Sequence, residues 1–268
     1  MIFSLPFALR RRFRKILLFF VFIFLTDRVE GGTKRGVVVS VLNQSLMTIV
    51  RAVGGVEARR IILKELLDGP KTGIELRYAL AKVLGVTPKE VSDAKLYFNL
   101  QALENSNVIV RYRDWKIKYA MINPKMLQAV RRYLNVHAPL SCVATLDSEP
   151  FLIREIGWRL KEQEGIAPNK YVFIAEDKMK GKISGRTEVA EILWVSEDVL
   201  YDYEEIYRVA ENVVKKLLAK SEPIIDVTDG TRVTVAALQQ LAWEYGLRVF
   251  YLKGKPYDKR RVVWIKKD

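Results

Sequence analysis

Apolar positions change their period along this 268-residue chain, and the change divides it into differently built parts. From Val56 onward they recur at three and four residues, the spacing of helices with one buried face. Ile61, Ile62, Leu66 and Leu67 predict a first helix over 56–67, stopped by Asp68-Gly69-Pro70. Thr72-Gly73-Ile74-Glu75 reads as a capping box opening a second helix that runs to Leu84 and ends at Gly85. Thr87-Pro88-Lys89-Glu90 reads as another, with proline at the first helical position, and predicts a third helix of about 17 residues with Leu96, Leu100 and Leu103 buried. The period then falls to two. Val108, Val110, Tyr112, Ile117, Tyr119 and Met121 take one face of a predicted hairpin with Asp114-Trp115 at its tip. Asn123-Pro124 starts a last helix through Leu134.

Beyond residue 138 short apolar runs alternate with helical patterns. Strands are predicted over 140–146, 171–175 and 192–195, around Ile224, Ile225 and Val227, and over 248–252 and 261–266. Helices are predicted over 151–164 and 202–218, the latter with Ile206, Val209, Val213 and Leu217 on one face. Another carries Val235, Ala236, Leu238 and Leu241 and ends near Tyr245, with Gly246 at the C′ position. Strands separated by helices imply parallel pairing. The fold class expected is an α+β winged helix-turn-helix over 47–137, followed over 138–268 by an α/β Rossmann-like, mostly parallel sheet with helices on both faces.

Charge sharpens this division. The formal net charge is +14, and Lys plus Arg exceed Asp plus Glu by 6 in residues 1–46 and by 8 in 47–137, whereas the two balance in 138–268. The middle segment is therefore the one matched to double-stranded DNA. With one cysteine, Cys142, and one histidine, His137, the chain has no internal disulfide and no cysteine cluster for zinc; neither a metal nor a cofactor is expected. In the first segment Arg10-Arg11-Arg12-Phe13-Arg14-Lys15 precedes an uncharged run from Ile16 to Thr26, too short for a helix crossing a bilayer, which needs about 20 residues. Three readings stay open for it: an extension from an upstream start with Met47 as the true first residue, a membrane anchor, or a cleaved signal. Residues 1–46 are set outside the fold, and a cytoplasmic location is expected.

The chemistry concentrates in Asp226-Val227-Thr228-Asp229-Gly230-Thr231-Arg232, a strand, a small-residue turn and a helix start. Such a turn offers amides and hydroxyls to an anion at a helix N-terminus. The segment resembles the signature loop of the CRISPR-associated Rossmann-fold (CARF) family, with Asp229 where that family usually has a second glycine. The resemblance extends over about 138–268. It implies a second ligand turn at Thr145-Leu146-Asp147-Ser148-Glu149-Pro150, where Asp147 stands in place of a common glycine. It also implies that Thr145, Asp147, Ser148, Thr228, Asp229, Gly230, Thr231 and Arg232 bind a cyclic oligoadenylate, with cyclic tetra-adenylate as the candidate ring. Ser148 has a second reading as a helix N-cap.

In the middle segment Ser92, Lys95 and Asn99 are spaced to share one face of the third helix, opposite the leucine stripe. In the hairpin Arg113 is expected to face Lys116, and Arg111 to face Lys118, with all four cations on one side. Like charges directly opposite destabilise a hairpin, so the pattern points to a polyanion. Together with Lys89 these residues form the candidate DNA surface. The run Tyr97-Phe98-Asn99-Leu100-Gln101-Ala102-Leu103-Glu104 with Val108-Ile109 resembles the recognition-helix-to-wing passage of PadR- and ArsR-type regulators. Arg132-Tyr133-Leu134-Asn135-Val136-His137 has the arginine-to-histidine spacing of HEPN ribonucleases; a linker histidine beside a basic helix end is the plainer reading.

The function expected is a homodimeric, CRISPR-associated transcription regulator that senses a cyclic oligoadenylate. The alternative is a ring nuclease cleaving that ligand in the same pocket, with Thr145, Ser148, Thr231 or Arg232 orienting a 2′-hydroxyl. A DNA-binding module with a purely structural α/β half is a third possibility.

Overall fold

In a computed structural model, residues 41–183, 190–255 and 258–267 are described. The extension expected over 1–46 therefore lies outside the described residues up to residue 40. The first helix, α1 (Val41–Val53), crosses the boundary drawn at 46/47. It does so because Ile49, Ala52 and Val53, at helical spacing, are buried in the same core as the helices that follow.

Residues Val39–Asp268 form one compact unit. Its first half contains α2 (Glu57–Leu66), β1 (Lys71–Thr72), α3 (Gly73–Leu84), α4 (Asp93–Asn105), β2 (Ile109–Asp114), β3 (Ile117–Ile122) and α5 (Leu127–Leu134). The Thr72 box forms as expected: its hydroxyl accepts from Glu75 N, and the Glu75 carboxylate accepts from Thr72 N. Gly85 ends α3 in the left-handed region. Helices α2, α3 and α4 with the β2–β3 hairpin make a winged helix-turn-helix, and β1 completes a sheet of order β1-β3-β2.

Two details differ from the sequence reading. The second capping box does not form: the Glu90 carboxylate accepts from both the amide and the hydroxyl of Thr87, while Glu90 N donates to the Thr87 carbonyl, so the chain turns there and α4 begins only at Asp93, capped by Ser92. Buried Val91 pins the break. The hairpin is also one residue out of the expected register. Asp114 pairs with Ile117, so Trp115 and Lys116 form the turn, Arg113 faces Lys118, and Arg111 faces Ala120. Trp115 sits at positive φ, as a tight two-residue hairpin turn requires.

The second half contains β4 (Leu140–Leu146), α6 (Leu152–Glu164), β5 (Lys170–Glu176), β6 (Ala190–Val195), α7 (Glu197–Tyr201), α8 (Tyr203–Leu218), β7 (Glu222–Asp226), α9 (Arg232–Glu244), β8 (Arg248–Lys253) and β9 (Arg261–Lys266). The sheet order is β6-β5-β4-β7-β8-β9, parallel except for β9. Counted within this half it is 3-2-1-4-5-6, the Rossmann order. Residues on β4 alternate between the faces. Cys142, Ala144 and Leu146 pack with α6, while Val143 packs with α8 and α9.

The halves share α5. Leu127 packs against the cores of both. The buried Arg131 guanidinium donates to the carbonyls of Ser221 (2.8 Å) and Leu218 (2.8 Å) at the end of α8. Lys125 pairs with Glu244 of α9, which also accepts from the Tyr207 hydroxyl (3.1 Å). No helix among the described residues is long and apolar enough to cross a membrane.

Candidate functional site

Chain connections leave β4 and β7 in opposite directions, so a crevice opens where these neighbouring strands end, the position at which open α/β sheets take their ligands. The two loops singled out in the sequence, 145–150 and 226–232, meet there. Their junction is the Asp229 side chain. Its Oδ2 accepts from the backbone amides of Asp147 (2.9 Å), Ser148 (2.9 Å) and Glu149 (3.0 Å), and its Oδ1 from the Ser148 hydroxyl (2.9 Å) and its own Gly230 amide (2.9 Å). The unpaired amides leading into α6 form an anion nest, and the protein's own carboxylate fills it. Burial raises the Asp229 carboxyl, but the amides of Ser148, Asp147 and Glu149 outweigh that and hold it below the ordinary range.

The hydroxyls are committed to the same framework. Thr145 donates to the Asp229 carbonyl. That approach is so close that a side chain at Gly230, whose φ is +127°, would place its Cβ 2.5 Å from Thr145 Oγ1; only glycine fits. Thr228 donates to Asp226 (2.5 Å) and accepts from Leu252 N (2.8 Å). Thr231 is buried as the N-cap of α9, accepting from Thr234 N (3.1 Å) and donating to the Leu200 carbonyl (3.0 Å). Arg232 is exposed. The crevice therefore brings the eight predicted ligand residues together, with most of their hydroxyls holding the loops rather than standing free.

Lys178 and Glu176 at these strand ends were missed from sequence, and Asp226, though part of the signature segment, was given no role there. Lys178, just after β5, pairs with Glu176 and lies 3.5 Å from Asp147. Asp226 is wholly buried, and its Oδ2 has no hydrogen-bond partner among the described residues. Burial pushes its carboxyl up to about 7, against the bonds from Thr228, with Asp229 adding to the rise and Arg260 opposing it. Because the folded pKa exceeds the unfolded one, the folded state binds the extra proton between roughly pH 4 and pH 7. Stability from this group is complete below that window and is lost as the pH rises through it. Asp226→Asn is expected to remove this slope and raise stability at pH 8 by on the order of a few kcal/mol; denaturant melts at pH 5 and pH 8 measure it.

The residues singled out for a DNA surface differ in exposure. Lys89 and Lys95 are exposed, and Ser92 caps α4. Asn99 is a correction. It is buried, accepting from Arg59 Nε (3.1 Å) and donating to the Lys95 carbonyl (2.9 Å). The reason is helical geometry: Leu96, Asn99, Leu100 and Leu103 are themselves spaced three, four and seven apart, so Asn99 belongs to the buried stripe. The outward face of α4 shows Ala94, Lys95, Tyr97, Phe98 and Gln101 instead. In the wing Arg113, Lys116 and Lys118 are exposed. Arg111 is tied down by Glu104 and by Gln101 Oε1 (2.7 Å), so the four cations are not equivalent. Beside them lies a cleft of about 320 Å³ between α4 and the wing. Arg132 and His137 both line a different cavity at the junction of the halves.

No protein-family model matches the chain, and no curated protein does. Among solved structures it is similar to Can2 from Sulfobacillus thermosulfidooxidans in complex with cyclic tetra-adenylate, at 16% identity and TM-score 0.36, over 47% of this chain and 34% of that one. It is similar to Enterococcus italicus Csm6 bound to cyclic hexa-2′-fluoro-hexa-dAMP, at 13% identity and TM-score 0.32, over 46% of this chain and 35% of that one. It is also similar to the homodimeric winged helix-turn-helix DNA-binding domain of Mb0332 from Mycobacterium bovis, a possible ArsR-family transcriptional regulator. That match has 20% identity and TM-score 0.25, and covers 39% of this chain and 83% of that fragment. The chain thus spans about a third of the length of Can2 and Csm6. Its winged-helix and Rossmann-like architectures follow from the strand order and helix packing given above.

Proposed function

We propose that this protein is a DNA-binding transcription regulator whose Rossmann-like half senses a cyclic oligoadenylate, with cyclic tetra-adenylate as the candidate ring. It works as a cytoplasmic homodimer on CRISPR-related genes. The observation that carries the sensor reading is the amide nest at the strand switch point, whose donors already hold a carboxylate at 2.9–3.0 Å. A ligand phosphate takes the place of the Asp229 carboxylate and so breaks the clamp between the two loops. Arg232 and Lys178, at the exposed rim, supply the positive charge that a phosphate needs beside so many carboxylates. Release of the 228–231 loop bears on the start of α9, and Glu244 at the far end of α9 is paired to Lys125, which directly precedes α5. The basic winged-helix half, with Lys95, Arg113, Lys116 and Lys118 exposed, supports the DNA reading.

Coupling between two binding sites is reciprocal: a ligand that changes DNA affinity must have its own affinity changed by DNA to the same factor. Calorimetry of the full chain with cyclic tetra-adenylate, with and without a fragment of its promoter DNA, is expected to give two affinities differing by about 5- to 150-fold. Tight ligand binding indifferent to DNA, with linear products accumulating, would replace the regulator by a ring nuclease.

A further inference from the structure

Helix α4 immediately precedes the wing, and in a winged helix-turn-helix that helix enters the major groove and meets base edges. Its polar side chains are mostly engaged within the protein. Ser92 caps the helix, accepting from Lys95 N (3.2 Å). Asp93 pairs with Arg77. Asn99 is buried. Gln101 is exposed, yet its nitrogen donates to Asn105 (2.8 Å) while its oxygen accepts from Arg111 (2.7 Å). The two atoms that a glutamine uses together to read adenine are thus both taken. Tyr97 carries its hydroxyl back against α3, 3.3 Å from where a Cβ on Gly73 would sit.

What this face offers outward is Phe98. It is 68% exposed, the most exposed large apolar side chain on any described helix. Ala94, one turn earlier and also exposed, is too small to cover the ring. The ring is backed from within: Arg59, which donates to the Ala52 carbonyl (2.8 Å), places its guanidinium 5.9 Å from the ring centroid. So exposed a phenyl ring contributes little to the free fold, because most of its apolar surface stays in water. Charge selects what covers it. Lys95 on the same helix and Arg113, Lys116 and Lys118 in the adjoining wing are exposed, so the surroundings fit a polyanion better than a second, equally basic copy of the chain.

We infer that Phe98 is a specificity-determining residue that packs on the 5-methyl group of thymine in the major groove, so that α4 reads base pairs by apolar contact in place of amide hydrogen bonds. Of the four bases only thymine puts an apolar group on the major-groove edge. The inference rests on the DNA reading proposed above and adds to it the base that is read.

A fragment of the promoter DNA made with thymine, and the same fragment made with uracil throughout, differ only in those methyl groups. In anisotropy titrations of the full chain the thymine duplex is expected to bind tighter, by roughly fourfold for each methyl that the ring covers. Phe98→Ala is expected to bind the two duplexes alike, with the melting temperature of the free protein unchanged and the salt slope unchanged, because no phosphate contact is lost. Phe98→Leu keeps an apolar group in place and is expected to retain most of the preference. Equal binding of the two duplexes by the parent protein overturns the inference and leaves the DNA reading standing, whereas binding of neither overturns both. A preference that survives Phe98→Ala comes from the duplex and not from the ring, and it also overturns the inference. So does a fall in oligomeric mass on Phe98→Ala, which would place the ring between copies of the chain.

Discussion

Asp229→Gly is expected to tighten cyclic tetra-adenylate binding while making the ligand-free protein less stable. The carboxylate now occupies three amides and a hydroxyl that a ligand phosphate needs, and its negative charge opposes that phosphate. A charge-assisted hydrogen bond contributes about 1.5–3 kcal/mol, so vacating the nest should raise affinity by roughly ten- to hundredfold. The same substitution unties the loops at 147–149 and 228–230, at a cost of roughly 1–3 kcal/mol in denaturant unfolding. Opposite signs in the two measurements distinguish a displaced clamp from a simple loss of structure. Asp229→Asn, which retains one accepting oxygen but no charge, should fall between. If Asp229→Gly leaves ligand affinity unchanged, the nest is not where the phosphate sits.

Removing the wing charges at Arg113, Lys116 and Lys118 together is expected to weaken binding to every DNA sequence alike. Each lost phosphate contact should flatten the slope of log affinity against log salt by about 0.9 unit, so the triple variant should lose up to about three units. Arg111, already held by Glu104 and Gln101, should contribute less than any of the three. A salt titration of the triple variant that superimposes on the parent excludes the wing from the interface. Asn99→Ala serves as a contrast. It orphans the Arg59 Nε donor, so it should lower stability by about 1–3 kcal/mol and shift affinity for operator and random DNA together.

Local signals were readable in the chain because they act within a few residues. The Thr72-to-Glu75 box, the Gly85 and Gly246 helix ends and the alternation of strand and helix beyond residue 138 each depend on neighbours. What was missed depends on distant partners or on steric detail. The role of Asp229 is invisible without the amides eighty residues before it, and in the sequence it stood only as a departure from a common glycine. Asn99 looked outward because it is polar, although its spacing from Leu96 and Leu103 already placed it inward. The hairpin register turned on whether Asp114 or Trp115 opens the turn, a choice of one residue that the alternation alone does not fix. Glu176 and Lys178 belong to a strand end that gained meaning only once the sheet order brought it beside Asp147.

The position of α5, packed into both cores and tied by Arg131 to the last turn of α8, bears on how such a protein can be re-engineered. A cut after His137 looks like a natural seam in the sequence, yet it leaves the guanidinium on one fragment and its carbonyl acceptors on the other. Transplanting the winged-helix half onto a foreign partner domain would therefore require carrying the end of α8 with it, or rebuilding an equivalent carbonyl pair on the recipient.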